Sequence, residues 1–222
     1  MSGDIILIDK PSGITSYDVI RILKKKLDVK KIGHTGTLDP LASGLLIVLT
    51  DEKTKEAATF SGMDKQYRFG IRLGIQTDTG DTDGKQINSS PVPVLSVESI
   101  TKAVEKFIGN INQVPPMYSA VRYKGKKLYQ YARAGISVDV APRNVVIKKL
   151  ELIQFNGTII ELRTICSKGT YVRSLAESIA EELGTCGCVE FLVREKIGNY
   201  SLKDAMKLPE DFIFLKTIHK QK

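Results

Sequence analysis

The chain has 222 residues, of which 42% are hydrophobic and 26% charged, with a formal net charge of +8. These values are typical of one globular domain with a sizeable core. Three cysteines without a CxxC pair and only two histidines exclude a structural zinc site and a disulfide framework. No apolar run reaches membrane-spanning length, and the N-terminus lacks a secretion signal. We therefore expect a soluble, cytoplasmic protein.

The first third of the chain predicts short alternating strands and helices. Ser16 is a candidate N-cap for a helix that presents Val19, Ile20 and Leu23 on one face. Strands are predicted at residues 5–8 and 45–49, and a short helix at residues 55–60. Residues 65–75 alternate apolar and polar side chains, which predicts a strand with one buried side.

The remainder of the chain adds hairpin and helix signals. Asn156-Gly157 predicts a tight hairpin between strands at residues 145–155 and 158–166. Apolar spacing predicts helices at residues 97–108, ended by Gly109, and 171–183, ended by Gly184. Residues 189–193 predict a further strand. Because no regular βαβ alternation occurs, the pattern indicates an α+β fold with a largely antiparallel mixed central sheet flanked by helices.

The segment GHTGTLDPLASGLL, residues 33–46, holds one carboxylate, Asp39, under unusual local constraint. Gly33 and Gly36 precede the acid and permit backbone conformations or close approaches that other residues avoid. Pro40 fixes its own φ and biases Asp39 away from the helical region. An acid that serves only as a surface charge does not need this constraint, so Asp39 is a candidate reacting group.

Three other features of the sequence have simpler interpretations. Gly33-His34-Thr35-Gly36 has the GxxG spacing by which KH modules hold a nucleic-acid backbone, but this spacing is frequent by chance. The segment TDTGDTDG, residues 77–84, superficially resembles a calcium loop. The register that uses Gly84 puts Ser90 where a bidentate Glu belongs, so an acidic turn is the better interpretation. Tyr67 is in register with Phe69 and Ile71, and a tyrosine in that position is more often a core residue than a catalytic one.

The segment KGTYVR, residues 168–173, places Tyr171 and Arg173 at the start of a predicted helix. Helix N-termini and arginine side chains both favour anions. The simpler interpretation is a surface arginine beside a half-buried tyrosine. Lysines also occur in clusters, and this surplus raises the expectation of a polyanionic partner. The clusters are Lys24–Lys26, Lys30–Lys31, Lys124 with Lys126 and Lys127, and Lys216 with Lys220 and Lys222.

Five ordered motifs resemble the TruB family of tRNA pseudouridine synthases: IDKPSGITS, GHTGTLDPLASGLL, KQYRFGIRLGIQTDTGD, VPPMYSAVRYKGKKLYQYARAG and CSKGTYVRSLAESI. The resemblance covers residues from about 5 to 200. It implies the pseudouridine-synthase fold and isomerisation of uridine-55 in the tRNA T loop to pseudouridine, without cofactor or metal. The implied partner is the T arm of tRNA, and a monomer is expected.

The resemblance also implies roles for individual residues. Asp39 corresponds to the nucleophile and Arg173 to the arginine that pairs with it. Tyr67 corresponds to the tyrosine that stacks on the target base and is proposed to take a proton. The implied substrate-binding residues are His34, which helps to hold the flipped-out loop, Lys10 in the basic motif beneath the site, and Tyr171 and Leu192 in the uracil pocket.

The residue types fit the chemistry that the resemblance implies. The reaction breaks a C–N glycosidic bond and re-forms it to C5, so the base must be extruded and held away from water. A neighbouring guanidinium would keep the nucleophile ionised in a partly desolvated site. Attack at C6 of the ring and at C1′ of the sugar both remain open. Tyr67 either abstracts the proton or shapes the pocket, because an unassisted phenol is a poor base at neutral pH.

Two other function classes are alternatives to this enzyme. A non-catalytic RNA-binding module or tRNA chaperone on the same fold would use the lysines and the GxxG-like segment, but it would not require Asp39, Tyr67 and Arg173 together. A glycosidase would need two carboxylates across the bond, the second from Asp78, Asp81 or Asp83 in the acidic turn. The predicted domain organisation is a catalytic domain over residues 1–208 and a short basic tail over residues 209–222, without the C-terminal PUA domain of many family members.

Overall fold

The structure, a computed structural model, describes residues 3–208. Those residues form fourteen strands and five α-helices. The strands are β1 (Ile5–Lys10), β2 (Ile32–His34), β3 (Ser43–Thr50), β4 (Lys65–Leu73), β5 (Ile75–Thr77), β6 (Gln86–Ser89), β7 (Gly109–Gln113), β8 (Arg122–Tyr123), β9 (Lys126–Lys127), β10 (Arg143–Phe155), β11 (Ile159–Cys166), β12 (Gly187–Ile197), β13 (Tyr200–Ser201) and β14 (Met206–Lys207). The helices are α1 (Ser16–Lys26), α2 (Ala57–Gly62), α3 (Val97–Glu105), α4 (Leu128–Arg133) and α5 (Val172–Glu182).

The described residues divide into two compact units, and β4 and β12 are each shared between them. The first unit contains the described residues up to Tyr67 and from Val193 onward. Its strand order is β14-β1-β3-β12, with β2 also paired to β3. β1 and β2 are antiparallel to β3, whereas β12 is parallel to it. The mixed sheet and the flanking helices confirm the α+β class.

Strand β3 is buried on both faces, which explains its continuous apolar sequence. Leu46 and Val48 pack in one cluster with residues of α1, including Val19 and Leu23. The alternate residues of β3 pack in a second cluster with Phe60 and Ile197. The strand that directly follows the Asp39 segment, residues 35–42 between β2 and β3, is therefore firmly anchored in this unit.

Helix α1 begins one position earlier than the sequence prediction implied. Thr15, not Ser16, is the N-cap, and it forms a capping box with Asp18. The prediction of Ser16 as the cap was wrong because its hydroxyl lies 1% exposed and bonds to the main chain of Leu38 instead. Shifting the cap by one residue turns Ser16 inward, toward the Asp39 segment.

The second unit, Arg68–Leu192, contains the strand order β4-β11-β10-β7. The predicted hairpin is confirmed, since β10 and β11 are antiparallel and the Asn156 side-chain oxygen accepts hydrogen bonds from the turn. The alternation in β4 is confirmed by the burial of Phe69, Ile71 and Leu73. Helix α5 also matches its prediction, with Gly184 at φ +80° just beyond its end.

The prediction for residues 97–108 was too long at its C-terminal end. α3 stops at Glu105, and Val97 and Ile108 are exposed although their spacing placed them on the apolar face. The helix ends early because Gly109, at φ +105°, starts β7, which pairs with β10. The segment from Lys106 to Ile108 forms the connecting turn. No helix within residues 3–208 is both long enough and apolar enough to cross a membrane.

Replacing Thr15 by alanine should lower the free energy of unfolding by about 1 kcal/mol, because one helix cap is lost. Urea denaturation measures the effect, and Ser12→Ala in the exposed turn before the helix is the matched control. A Thr15→Ala variant as stable as the control would contradict the assignment of the cap.

Candidate active site

Asp39 lies half-buried in the segment between β2 and β3, and the main chain around it is held by hydrogen bonds. The Asp39 carbonyl accepts from the amide of Ala42 at 3.1 Å, which closes a turn around Pro40. The Pro40 carbonyl accepts from the amide of Gly13 at 2.8 Å. Both bonds fix the peptide groups on the C-terminal side of the carboxylate.

Ser16 holds the peptide groups on the N-terminal side. Its hydroxyl accepts from the amide of Leu38 at 2.8 Å and donates to the Leu38 carbonyl at 3.0 Å. One buried hydroxyl therefore satisfies both main-chain groups of the residue that precedes Asp39. Removing it would leave two buried polar groups without this partner, at a cost of about 1–3 kcal/mol for each unsatisfied group.

Arg194, which the sequence analysis missed, spans this segment from β12. Its Nε donates to the Leu45 carbonyl at 2.8 Å, and its Nη2 donates to the Gly36 carbonyl at 2.9 Å. A longer contact of 3.4 Å joins Nη1 to the Thr37 carbonyl. Gly44 permits the close packing, because a Cβ there would lie 2.5 Å from the Arg194 carbonyl oxygen. No local sequence signal marks a partner 149 residues away.

The other predicted residues of the first unit differ in exposure. His34, at the end of β2, is half-buried, and its Nδ1 has no hydrogen-bond partner among residues 3–208. Burial and the charge of Arg194 lower the pKa of His34, which favours a neutral ring at neutral pH. Tyr67 is 9% exposed. Lys10 is fully buried, and its ammonium donates to the carbonyls of Pro11 and Ile14, so it supports the turn before α1.

The second unit holds Arg173 and Tyr171 at the start of α5. Arg173 is 5% exposed, so the interpretation of a surface arginine was wrong. Its Nη1 donates to the Thr79 carbonyl at 2.6 Å, and its Nη2 donates to the Tyr118 carbonyl at 2.8 Å. Gln113 bonds both main-chain groups of Tyr171, at 2.7 and 2.9 Å. The backbone that carries Tyr171 and Arg173 is therefore anchored to β7.

Leu192 lies on β12 in the second unit and is 8% exposed. The acidic turn over residues 77–84 is confirmed as a turn stabilised by its own hydrogen bonds. The Asp81 carboxylate accepts from the Thr79 hydroxyl at 2.6 Å and from the Asp83 amide at 3.2 Å. The turn also supplies the Thr79 carbonyl to Arg173, a role that the sequence did not indicate.

Glu177, one helical turn after Arg173, is the most strongly shifted carboxyl group near these residues. Burial and the charges of Glu181 and Asp81 raise its pKa from 4.5 to about 7, although the charge of Arg173 acts in the opposite direction. Gly80, at φ +75°, allows the acidic turn to approach α5, since a Cβ there would lie 3.1 Å from Oε1 of Glu177. Near neutral pH, Glu177 is therefore poised between its protonated and ionised forms.

Strands β8 and β9 with the turn between them form a hairpin, here named the basic hairpin (Arg122–Lys127). Its turn residues, Lys124 and Gly125, both have positive φ, as a two-residue hairpin turn requires. The ammonium of Lys124 lies 5.5 Å from the ring centre of Tyr123, and the ammonium of Lys127 lies 5.6 Å from that of Tyr129. The fully buried Leu128 anchors α4 directly after the hairpin. This exposed surface combines cations and aromatic rings, which suits a single-stranded nucleic acid.

The chain matches a family model described as the N-terminal domain of the TruB family pseudouridylate synthases, over residues 24–172. It is 47% identical over 206 residues to tRNA pseudouridine synthase B of Endomicrobium trichonymphae, covering 93% of this chain and 90% of that protein. The chain belongs to the TruB family. The same-named protein of Fusobacterium nucleatum is 47% identical over 199 residues, covering 90% of this chain and 69% of the relative. The corresponding protein of Psychrobacter cryohalolentis is 45% identical, and the chain spans 59% of its length.

Solved structures support the TruB fold. A Cbf5-Nop10-Gar1 complex contains a chain with a TM-score of 0.71 at 24% identity, matched over 98% of this chain and 56% of that one. An H/ACA RNP bound to a substrate RNA containing 2′-deoxyuridine gives a TM-score of 0.69 at 23% identity, over 98% of this chain and 55% of that one. At these identities the likeness establishes the fold.

Glu177→Gln should alter the pH dependence of stability. The unfolded chain loses this proton near pH 4.5 and the folded chain near 7, so Glu177 reduces wild-type stability as pH rises through that window. The glutamine variant lacks this titration, so its urea midpoint relative to wild type should be higher at pH 8 than at pH 5. Glu105→Gln on the exposed surface of α3 is the control. An equal change in the control, or none in Glu177→Gln, would contradict the assignment.

Proposed function

We propose that this protein isomerises uridine-55 in the T loop of tRNA to pseudouridine, with Asp39 as the nucleophile. The named relatives are tRNA pseudouridine synthases B, and the Endomicrobium protein matches over nearly its whole length. Membership of the TruB family supports the same reaction class for this chain. The hydrogen bonds to the main chain around Asp39 supply the more specific support.

The observation that carries the proposal is the immobilised main chain around Asp39. Ser16 bonds both main-chain groups of Leu38, and Gly13 and Ala42 bond the next two carbonyls. An aspartate side chain is short, so fixing its backbone restricts the carboxylate to a small volume. A nucleophile gains from this restriction, because reacting atoms must be held close and aligned. An acid that serves only as a surface charge has no such need.

The remaining residues take roles around the extruded uridine. Arg173 pairs with Asp39. Tyr67 stacks on the base, and Tyr171 and Leu192 line the uracil pocket. His34 inserts as a neutral ring in place of the extruded nucleotide, because burial and Arg194 disfavour its charged form. Extrusion costs on the order of a few kcal/mol of stacking, which contacts to the RNA backbone offset.

Asp39→Asn should abolish turnover while leaving tRNA affinity within about twofold, because it removes the nucleophile and changes only one contact. Tritium release from tRNA labelled at C5 of uridine measures turnover, and filter binding measures affinity. Asp28→Asn, at an exposed carboxylate of the same unit, is the control and should retain wild-type turnover. Wild-type turnover in the Asp39 variant would remove Asp39 from the mechanism. Binding without any tritium release from the wild type would indicate an RNA-binding module instead.

The basic hairpin should contribute phosphate contacts. Replacing Lys124 and Lys126 together by glutamine should weaken tRNA binding and make the slope of log affinity against log salt concentration shallower by about two. Lys102 and Lys106 on and beside α3, each paired with a glutamate, provide a control of equal charge change. An unchanged slope in the hairpin variant would exclude these lysines from the RNA interface.

A further inference from the structure

We propose that Arg194 is a positioning residue, which holds the Asp39 segment in the geometry needed for the reaction without touching the substrate. This inference rests on the proposed role of Asp39. Arg194 lies on β12, and none of the residues assigned to the reaction in the first unit lies on that strand. Its guanidinium is directed at main-chain carbonyls and not at the surface.

The hydrogen bonds of Arg194 connect the two ends of the segment. Nη2 and Nη1 contact the Gly36 and Thr37 carbonyls before Asp39, and Nε contacts the Leu45 carbonyl after it. One rigid planar group therefore sets the separation between the two ends of the segment. Displacement of either end would move the carboxylate between them.

Burial makes this use of an arginine informative. Arg194 is 1% exposed, and within residues 3–208 its hydrogen bonds go to carbonyl oxygens. Burying a charged group is costly, and the carbonyl dipoles must offset that cost. A leucine or methionine would fill the same volume without that cost. Packing alone therefore does not explain a guanidinium at this position.

The anchor of the guanidinium is itself rigid. Arg194 pairs with Gly44 in the parallel ladder between β12 and β3, and the missing Cβ of Gly44 lets the two main chains meet closely. The Arg194 backbone is thereby tied to the strand that follows the Asp39 segment. Arginine presents several donors in a fixed plane, whereas lysine presents a single flexible ammonium. Lysine can reach one end of the segment, but it cannot bridge both.

Arg194→Lys separates positioning from binding. The variant should bind tRNA within twofold of wild type, and its single-turnover rate of tritium release should fall about 100-fold, as expected for a small displacement of a reacting group. Lys196→Arg, the reverse exchange two residues along β12 at an exposed site, should keep both values. Equal rates in Arg194→Lys and wild type would overturn the proposal. So would a loss of tRNA affinity that accounts for the whole decrease.

A second readout does not depend on activity. Amide hydrogen exchange at Leu38 and Ala42 should accelerate at least tenfold in Arg194→Lys. The Leu38 amide donates to the Ser16 hydroxyl and the Ala42 amide to the Asp39 carbonyl, so both bonds depend on the position of the segment. Exchange in the hairpin of β10 and β11 should not change. A decrease in the rate of tritium release with unchanged exchange at Leu38 and Ala42 would overturn the proposal. The decrease would then have a cause other than displacement of the segment. If Asp39→Asn retained turnover while exchange at Leu38 and Ala42 still accelerated in Arg194→Lys, only the proposed function would fail.

A measurement on the wild-type protein covers the case in which the variant fails to fold. A guanidinium held by three carbonyls should rotate slowly, so the Nη protons of Arg194 should give separate NMR signals. Those signals should keep their shifts when a T-arm stem-loop binds, because the guanidinium faces the protein backbone. Averaged Nη signals, or a large shift on RNA binding, would each contradict a positioning role.

Discussion

The main-chain hydrogen bonds around Asp39 are the constraint on which the rest of the site depends. They come from three separate parts of the chain: the turn before α1, the first residue of α1 and the β12 strand. Each bond acts on a peptide group and not on the carboxylate. The bonds therefore fix the origin of the side chain. This arrangement gives a short acid a defined position without burying it completely.

The same device recurs at the start of α5, where Gln113 bonds both main-chain groups of Tyr171 as Ser16 does for Leu38. In each case one buried polar side chain bonds both the donor and the acceptor of a single main-chain residue. A buried polar group is costly unless its hydrogen bonds are complete, so these pairs form only in one geometry. Buried polarity therefore confers precision where apolar packing would tolerate small shifts.

Local sequence signals predicted much of this structure, and the exceptions share a physical cause. Asn156-Gly157, the alternation in β4 and Gly184 act on neighbouring residues, so their patterns were sufficient. The glycines and Pro40 likewise marked Asp39 as constrained. Arg194 and Gln113 were missed because their partners are main-chain carbonyls and amides, which every residue possesses. Their contacts also span 149 and 58 residues, a separation that no local pattern encodes.

Arg194 and Arg173 illustrate how one residue type can support a site in two ways. Arg173 also donates to main-chain carbonyls, but it stands beside Glu177, whose raised pKa of about 7 reflects burial and neighbouring acids. Its electrostatic surroundings therefore change near neutral pH. The hydrogen bonds of Arg194 go to carbonyl oxygens, which do not titrate, and its charge lowers the pKa of the nearby His34. A geometric support benefits from such partners, because their capacity to accept hydrogen bonds does not change with pH.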